Sequence, residues 1–146
     1  MPESTVRFRA PAAPEALHRS LSDPTFVAAL IPQVVGVERT GERTAIWTVA
    51  IKLGPISRKS LYQGELLEGS EAGVRFRARG PEATIEGRLA FVAAPPDATD
   101  VTLTLTMTGT GALRAVIDSY LAKRVGPDAE EFARNHAAKL DATPPA

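Results

Sequence analysis

Side chains able to do chemistry are sparse in this sequence. Its histidines are His18 and His136, too few for a histidine-rich metal site, and it has no cysteine. That removes thiol nucleophiles, thiolate metal ligands and disulfides. His136 falls on the apolar stripe of the last predicted helix. An imidazole there serves either as a general base at a cavity mouth or as a partly buried side chain bonded to a backbone carbonyl or water. His18 follows Leu17 and reads as a surface or rim residue. Trp47 and Tyr120 each offer an apolar body and one hydrogen-bonding tip. That mix orients a lipophilic ligand carrying a carbonyl or hydroxyl, the alternative being that both rings fill core. Asp118 reads as a solvated helix carboxylate, and no pair of carboxylates suited to acid–base work can be identified.

Arg75, Arg77 and Arg79 share one strand face, with Glu86 and Arg88 expected on the neighbouring strand. They form either an anion or partner-docking patch or, with acids at hand, a solvated sheet face laced by cross-strand ion pairs. Thr102, Thr104, Thr106 and Thr108 read as an ordinary outer β face. Gly109-Thr-Gly111 precedes a helix but has no lysine, so it reads as a turn rather than a phosphate cradle. The sequence has no GxSxG, Walker A, GxGxxG or HExxH pattern, and no cofactor, metal or catalytic residue is expected from it.

The elements that must position these groups follow from periodicity. Val6 and Phe8 alternate with Arg7 and Arg9 in a first strand. Pro14 starts a short helix with Leu17 and Leu21 inward. Asp23 as N-cap and Pro24 at the first position start a second, carrying Phe26, Val27, Leu30 and Ile31 and ended by Pro32. From Val34 to Thr108 the period is two, with turn signals at Thr40-Gly41-Glu42, Gly54-Pro55, Glu68-Gly69-Ser70, Gly80-Pro81 and Pro95-Pro96-Asp97. That pattern predicts an antiparallel meander. Leu113, Val116, Ile117, Tyr120 and Leu121 then form a helical stripe. Gly126-Pro127 is expected to kink or break it, with a second segment opening on Asp128, Glu130 and Glu131 and burying Ala129, Phe132, Ala133, His136 and Leu140.

The order is β, α, α, five or six antiparallel strands and a long C-terminal helix, an α+β arrangement of six to seven strands around that helix. A single helix is too narrow to cover a twisted sheet of that width, so an internal apolar cavity is expected between them. Its walls would be Trp47, Val49, Ile51 and Phe76, then Ile85, Leu89, Leu103 and Leu105 on the sheet. Ile117, Tyr120 and Leu121 would close it from the helix.

Composition agrees with a globular chain. Its 146 residues are 44% hydrophobic with few aromatics, enough for one domain over 1–146 with a frayed tail at 142–146. Seventeen basic residues balance seventeen acidic ones, which argues against nucleic-acid binding by counterion release. After Met1 there is no basic region followed by an apolar run. The longest nearly apolar stretch, Phe26 to Val37, is interrupted by Pro32 and Gln33 and falls short of the roughly 20 residues of a membrane span. A soluble, cytoplasmic protein is expected.

Four stretches carry a family resemblance. They are Phe8-Arg-Ala-Pro-Ala-Ala-Pro-Glu15, Ser22-Asp-Pro-Thr-Phe-Val-Ala-Ala-Leu-Ile-Pro32, Ile51-Lys-Leu-Gly-Pro-Ile56 with Tyr62-Gln-Gly64, and the threonine-rich strand and glycine turn before the last helix. Together they resemble the helix-grip (START-like, SRPBCC) superfamily of lipophilic-ligand-binding domains. Within it they are similar to the CoxG family, the proteins associated with carbon monoxide dehydrogenase and their relatives. That family usually has Gly where this chain has Gln33, so the helix exit is expected to differ. CoxG proteins often carry a C-terminal extension implicated in membrane attachment, whereas this sequence stops at Ala146. The resemblance therefore implies an apolar pocket for a lipid-like or quinone-like ligand rather than recruitment of a dehydrogenase to the membrane. The expected function is noncatalytic ligand binding, with an accessory role beside an oxidoreductase. A cyclase/dehydratase-like or hydrolase-like enzyme is the alternative, and docking to a larger complex and homodimer formation stay open.

Overall fold

The computed structural model describes residues 3–53, 55–94, 97–111 and 114–142. Leu113, the Pro95-Pro96 turn, Gly54 and the end of the tail lie outside the described residues, as does the side chain of Leu140. The chain runs β1 (Glu3–Ala10), α1 (Pro14–Leu21), α2 (Pro24–Ala28), β2 (Val34–Arg39), β3 (Thr44–Leu53), β4 (Ile56–Ser70), β5 (Gly73–Arg79), β6 (Ala83–Ala94), β7 (Ala98–Gly109) and α3 (Arg114–Ala142). The seven strands form one antiparallel curved sheet in the order β1-β7-β6-β5-β4-β3-β2. Every connection from β2 to β7 is a hairpin to the adjacent strand, and β1 closes back on β7.

Local chemistry accounts for the boundaries. Asp23 caps α2 by accepting the Thr25 N–H at 2.9 Å, and Pro24 takes the first helical position, where no donor is needed. Leu30 and Ile31 are buried just past that helix rather than on it. One face of every central strand is buried, as in Ala83, Ile85, Gly87, Leu89 and Phe91 of β6. Bulges at Val34/Gly36 in β2 and Leu66/Glu68 in β4 add local twist.

α3 differs from the sequence expectation at Gly126-Pro127. It is a single helix of 29 residues with Pro127 inside, so Asp128, Glu130 and Glu131 stand mid-helix and not at an N-terminus. The buried stripe runs unbroken through the proline: Ile117, Leu121, Val125, Ala129, Phe132, Ala133 and His136. Burial on both sides of Pro127 outweighs the ~3 kcal/mol a helical proline costs. Val116, expected inside, is 56% exposed. Asp118 is not a free surface carboxylate either, because its Oδ1 accepts the Gly109 N–H at 2.5 Å and ties the start of α3 to the end of β7.

α3 lies along β7 and β1, one side of the sheet, while α1 and α2 cover parts of β2–β6. On the concave side three rings lie down over glycines, two in the next strand and one, Gly80, in the β5–β6 turn. A Cβ at Gly64 would fall 2.5 Å from the Trp47 ring. At Gly80 it would fall 2.1 Å from Tyr62, and at Gly87 2.1 Å from Phe76. Phe76 stacks on Phe132 of α3 with centroids 6.1 Å apart and contacts Trp47 at 6.2 Å. This ladder joins β3, β5 and the second half of the helix.

Candidate functional site

Because α3 follows β7 and β1, its first half faces β3 across a gap. The gap opens as a cleft of about 400 Å³ lined by Pro32, Gln33, Ala50, Tyr120 and Arg124. The Gln33 carbonyl accepts the Ala50 N–H at 2.8 Å, which fixes the α2–β2 connection against β3 at the cleft's edge. Tyr120 is partly buried and packs on the core.

A wholly buried carboxylate holds α3 to that connection. Asp128 accepts from Arg124 Nη2 at 2.8 Å through one oxygen and from Gln33 Nε2 through the other. Burial holds its carboxyl above the usual range, and the hydrogen bond from Gln33 and the Arg124 charge offset only part of that rise. Two turns on, Asn135 Nδ2 donates to the Leu30 carbonyl at 3.1 Å. Gln33, the departure from the resembled family, thus has a definite role, since a glycine there has no side chain to reach Asp128.

A second polar cluster lies on the concave face of β4. Glu82, 7% exposed in the β5–β6 turn, receives the Ser60 hydroxyl on one oxygen and the Tyr62 hydroxyl on the other at 3.1 Å. Arg58 Nε lies 3.5 Å from the first oxygen. Register places Arg58 and Ser60 beside Ile51 and Val49. Burial, with the charge of Glu82 and the hydrogen bond to it, pushes the Tyr62 phenol well above its ordinary value.

Of the expected lining residues, Tyr120 borders the cleft. Trp47, Val49, Ile51, Phe76, Ile85, Leu89, Leu103, Leu105, Ile117 and Leu121 are all buried in one contiguous core behind it. Trp47 Nε1 has no hydrogen-bond partner there. His136 is also wholly buried, edge-on to Phe8 at 5.7 Å and Phe26 at 6.1 Å, with neither ring nitrogen hydrogen-bonded. Desolvation pushes its pKa down to about 4. It does not border the cleft. Arg124, Arg58, Ser60 and Glu82 carry no sequence expectation, while Gln33 stands out only as a family departure, Asp128 only as a helix-opening acid and Tyr62 only as part of the family resemblance. The signal available for Asp128 was its spacing from Ile117, Leu121 and Val125 on one continuous stripe, which only an unbroken helix makes visible.

The convex face is polar. Arg77 pairs with Glu65 at 2.6 Å and Arg75 with Glu68 at 3.4 Å, while register sets Arg75 opposite Arg88 and Arg77 opposite Glu86. A depression of about 200 Å³ there is bordered by Arg75, Glu86, Arg88, Thr104 and Thr106, poor chemistry for an apolar guest. Among the described residues no group of three or more His, Asp or Glu is placed to hold a metal ion. Among them, too, no helix is long and apolar enough to cross a membrane.

This geometry, a curved antiparallel sheet gripping a long C-terminal helix with a cleft at their junction, can be set beside known proteins. The family model for "Polyketide cyclase / dehydrase and lipid transport" matches residues 1–141. The chain belongs to that family. Solved structures show the same START-like, helix-grip fold over nearly the whole of this polyketide cyclase/dehydrase-family chain. A conserved protein from Geobacillus kaustophilus superposes with a TM-score of 0.72 at 14% identity, covering 96% of this chain and 95% of its own. A START superfamily protein from Mycobacterium smegmatis gives 0.68 at 14% identity, covering 96% and 97%. An aromatase/cyclase from Streptomyces sp. R1128 gives 0.62 at 11% identity, covering 95% and 93%. No curated protein sequence matches this chain.

Proposed function

We propose that this chain binds a small hydrophobic ligand, lipid-like or quinone-like, between α3 and the concave face of the sheet, and does no chemistry on it. The observation that carries the reading is the position of α3: it follows β7 and β1, leaving a cleft of about 400 Å³ against β3. That volume lies within the ~300–1,000 Å³ of ordinary small-molecule sites. The rings of Trp47, Tyr62 and Phe76 lie down over Gly64, Gly80 and Gly87, which keeps that part of the concave wall low. An apolar guest gains by leaving water, about 25 cal/mol per Å² of apolar surface. Pro32, Gln33, Ala50, Tyr120 and Arg124 border the cleft. Ile117 and Leu121 from α3, with Trp47, Val49 and Ile51 from β3, lie buried behind it as the apolar lining the guest would reach, backed by the remaining inner-face residues.

Within the family we place the chain nearest the CoxG-like proteins. The support is Asp23-Pro24…Ile31-Pro32 and Ile51-Lys-Leu-Gly-Pro-Ile56 with Tyr62-Gln-Gly64. That placement makes it one cytoplasmic domain over 1–146 serving an oxidoreductase. The test is to purify the protein gently, denature it, extract with organic solvent and analyse the extract by mass spectrometry. In parallel, the neutral dye N-phenyl-1-naphthylamine is titrated into the delipidated protein. A co-purifying apolar molecule or saturable dye binding is expected; neither one appearing contradicts the reading.

A second reading, an enzyme of the cyclase/dehydratase type, is favoured by one observation. Arg58, Ser60 and Tyr62 converge on the buried Glu82 on the concave face. Turnover of a bound polyketide-like substrate that is lost in Glu82→Gln would establish it.

A further inference from the structure

The cleft has a polar mouth, and its charge is balanced. Arg124 is the cationic residue among those bordering the cleft. Its Nη2 is committed to Asp128, while no described residue accepts from its Nε or Nη1. Arg124 is 40% exposed and Asp128 is 0% exposed. The mouth therefore presents guanidinium N–H groups whose charge is cancelled from behind. Each Asp128 oxygen meets an N–H, one from Arg124 and one from Gln33, which is the arrangement of a carboxylate. The Gln33 amide is oriented by the same contact, because its carbonyl turned toward Asp128 would meet like charge. Beside Arg124, one turn back on α3, Tyr120 borders the same cleft.

A buried ion pair is a poor source of stability, since well-packed apolar residues of similar size serve as well or better. Its effect on a ligand is more specific. An unbalanced arginine at the mouth would select carboxylates, whereas a balanced one donates hydrogen bonds without favouring negative charge. Resting on the cavity reading above, we propose that the Arg124–Asp128 pair makes the cleft selective for uncharged amphipathic ligands. Such a ligand has an apolar body and a polar end bearing a carbonyl, as in an amide, ester or ketone. Arg124 and Tyr120 hold the carbonyl, and Asp128, fixed by Gln33, is a positioning residue that sets charge selectivity without touching the ligand.

The test measures displacement of N-phenyl-1-naphthylamine at pH 7.5 by decanamide and by sodium decanoate, equal in chain length. The wild-type protein is expected to prefer decanamide. In Asp128→Asn, nearly isosteric, the decanamide-to-decanoate affinity ratio is expected to fall at least tenfold, equivalent to about 1.4 kcal/mol. The double variant Arg124→Met/Asp128→Leu replaces the pair by apolar groups. It is expected to lose decanamide affinity with no gain for decanoate. An unchanged ratio in Asp128→Asn overturns the proposal, as does a wild-type preference for decanoate. Should Asp128→Asn not fold, full decanamide affinity in the double variant overturns it equally. Dye and both probes binding without discrimination defeats the selectivity and leaves the cavity reading standing, whereas failure of all three to bind defeats both.

Discussion

His136 makes a quantitative prediction about acid stability. Its ring is wholly buried between Phe8 and Phe26, neither nitrogen is hydrogen-bonded, and desolvation pushes its pKa from 6.5 down to about 4. The folded state thus takes up the proton less readily than the unfolded chain. Above pH 6.5 neither state is protonated and the residue costs nothing through linkage. As the pH falls from 6.5 toward 4, the unfolded state gains a proton that the folded state refuses, and stability is lost. At 1.36 kcal/mol for each pH unit across that window, the loss reaches roughly 3 kcal/mol and levels off below pH 4. The perturbation is His136→Leu, which keeps an apolar side chain of similar bulk against the two phenyl rings. Urea unfolding of both proteins, followed by circular dichroism from pH 7.5 to 4, isolates the contribution as the difference between their pH profiles. At pH 7.5 the variant is expected to be at least as stable as the wild type, because it no longer buries unsatisfied nitrogens. By pH 4 it is expected to be more stable by a further ~3 kcal/mol. A difference that stays constant with pH refutes the assignment of a neutral, unpartnered imidazole.

Three further outcomes follow from the packing and polar clusters. Gly87→Ala would put a methyl 2.1 Å from the Phe76 ring, which is held by Phe132 and Trp47. It is expected to cost about 1–3 kcal/mol and lower the melting temperature by roughly 2–10 °C in calorimetry, with Phe76→Leu restoring most of the loss. Tyr62→Phe removes a donor from the buried Glu82 and is expected to destabilise by about 1–3 kcal/mol in denaturant titration. Gln33→Gly strips Asp128 of one of its two partners, and faster amide exchange in α3 around residue 128 is expected by hydrogen–deuterium mass spectrometry.

Much of the fold was legible because its signals are local. The alternation of Ala83 to Phe91 and of Val101 to Met107 gave strands, and Asp23-Pro24 gave a helix start. What stayed hidden depends on distant parts of the chain. Pro127 reads as a breaker in isolation, yet its helix continues because Val125 on one side and Ala129 and Phe132 on the other are buried on a common face. Glu82 follows Gly80-Pro81 and looks like a solvated turn acid. Its burial exists only because β4 brings Ser60 and Tyr62 to it across the sheet. The lining residues were recognised as inward-facing by their period. Which of them meet open space depends on where α3 crosses the sheet, and no period encodes that. Trp47, Tyr62 and Phe76, three of the few aromatic residues, each lie over a glycine distant in sequence. Those rings take up little height on the concave face.

The central claim is that an apolar ligand enters between α3 and β3. It is tested most directly by titrating N-phenyl-1-naphthylamine into the ¹⁵N-labelled protein and following backbone amides with the indole N–H of Trp47, the single tryptophan. Saturable shifts are predicted at that indole and at Gln33, Ala50, Tyr120 and Arg124, with Arg75, Arg88 and Thr104 on the convex face unmoved. Shifts confined to the convex face, or none at all on saturation with dye, would contradict it.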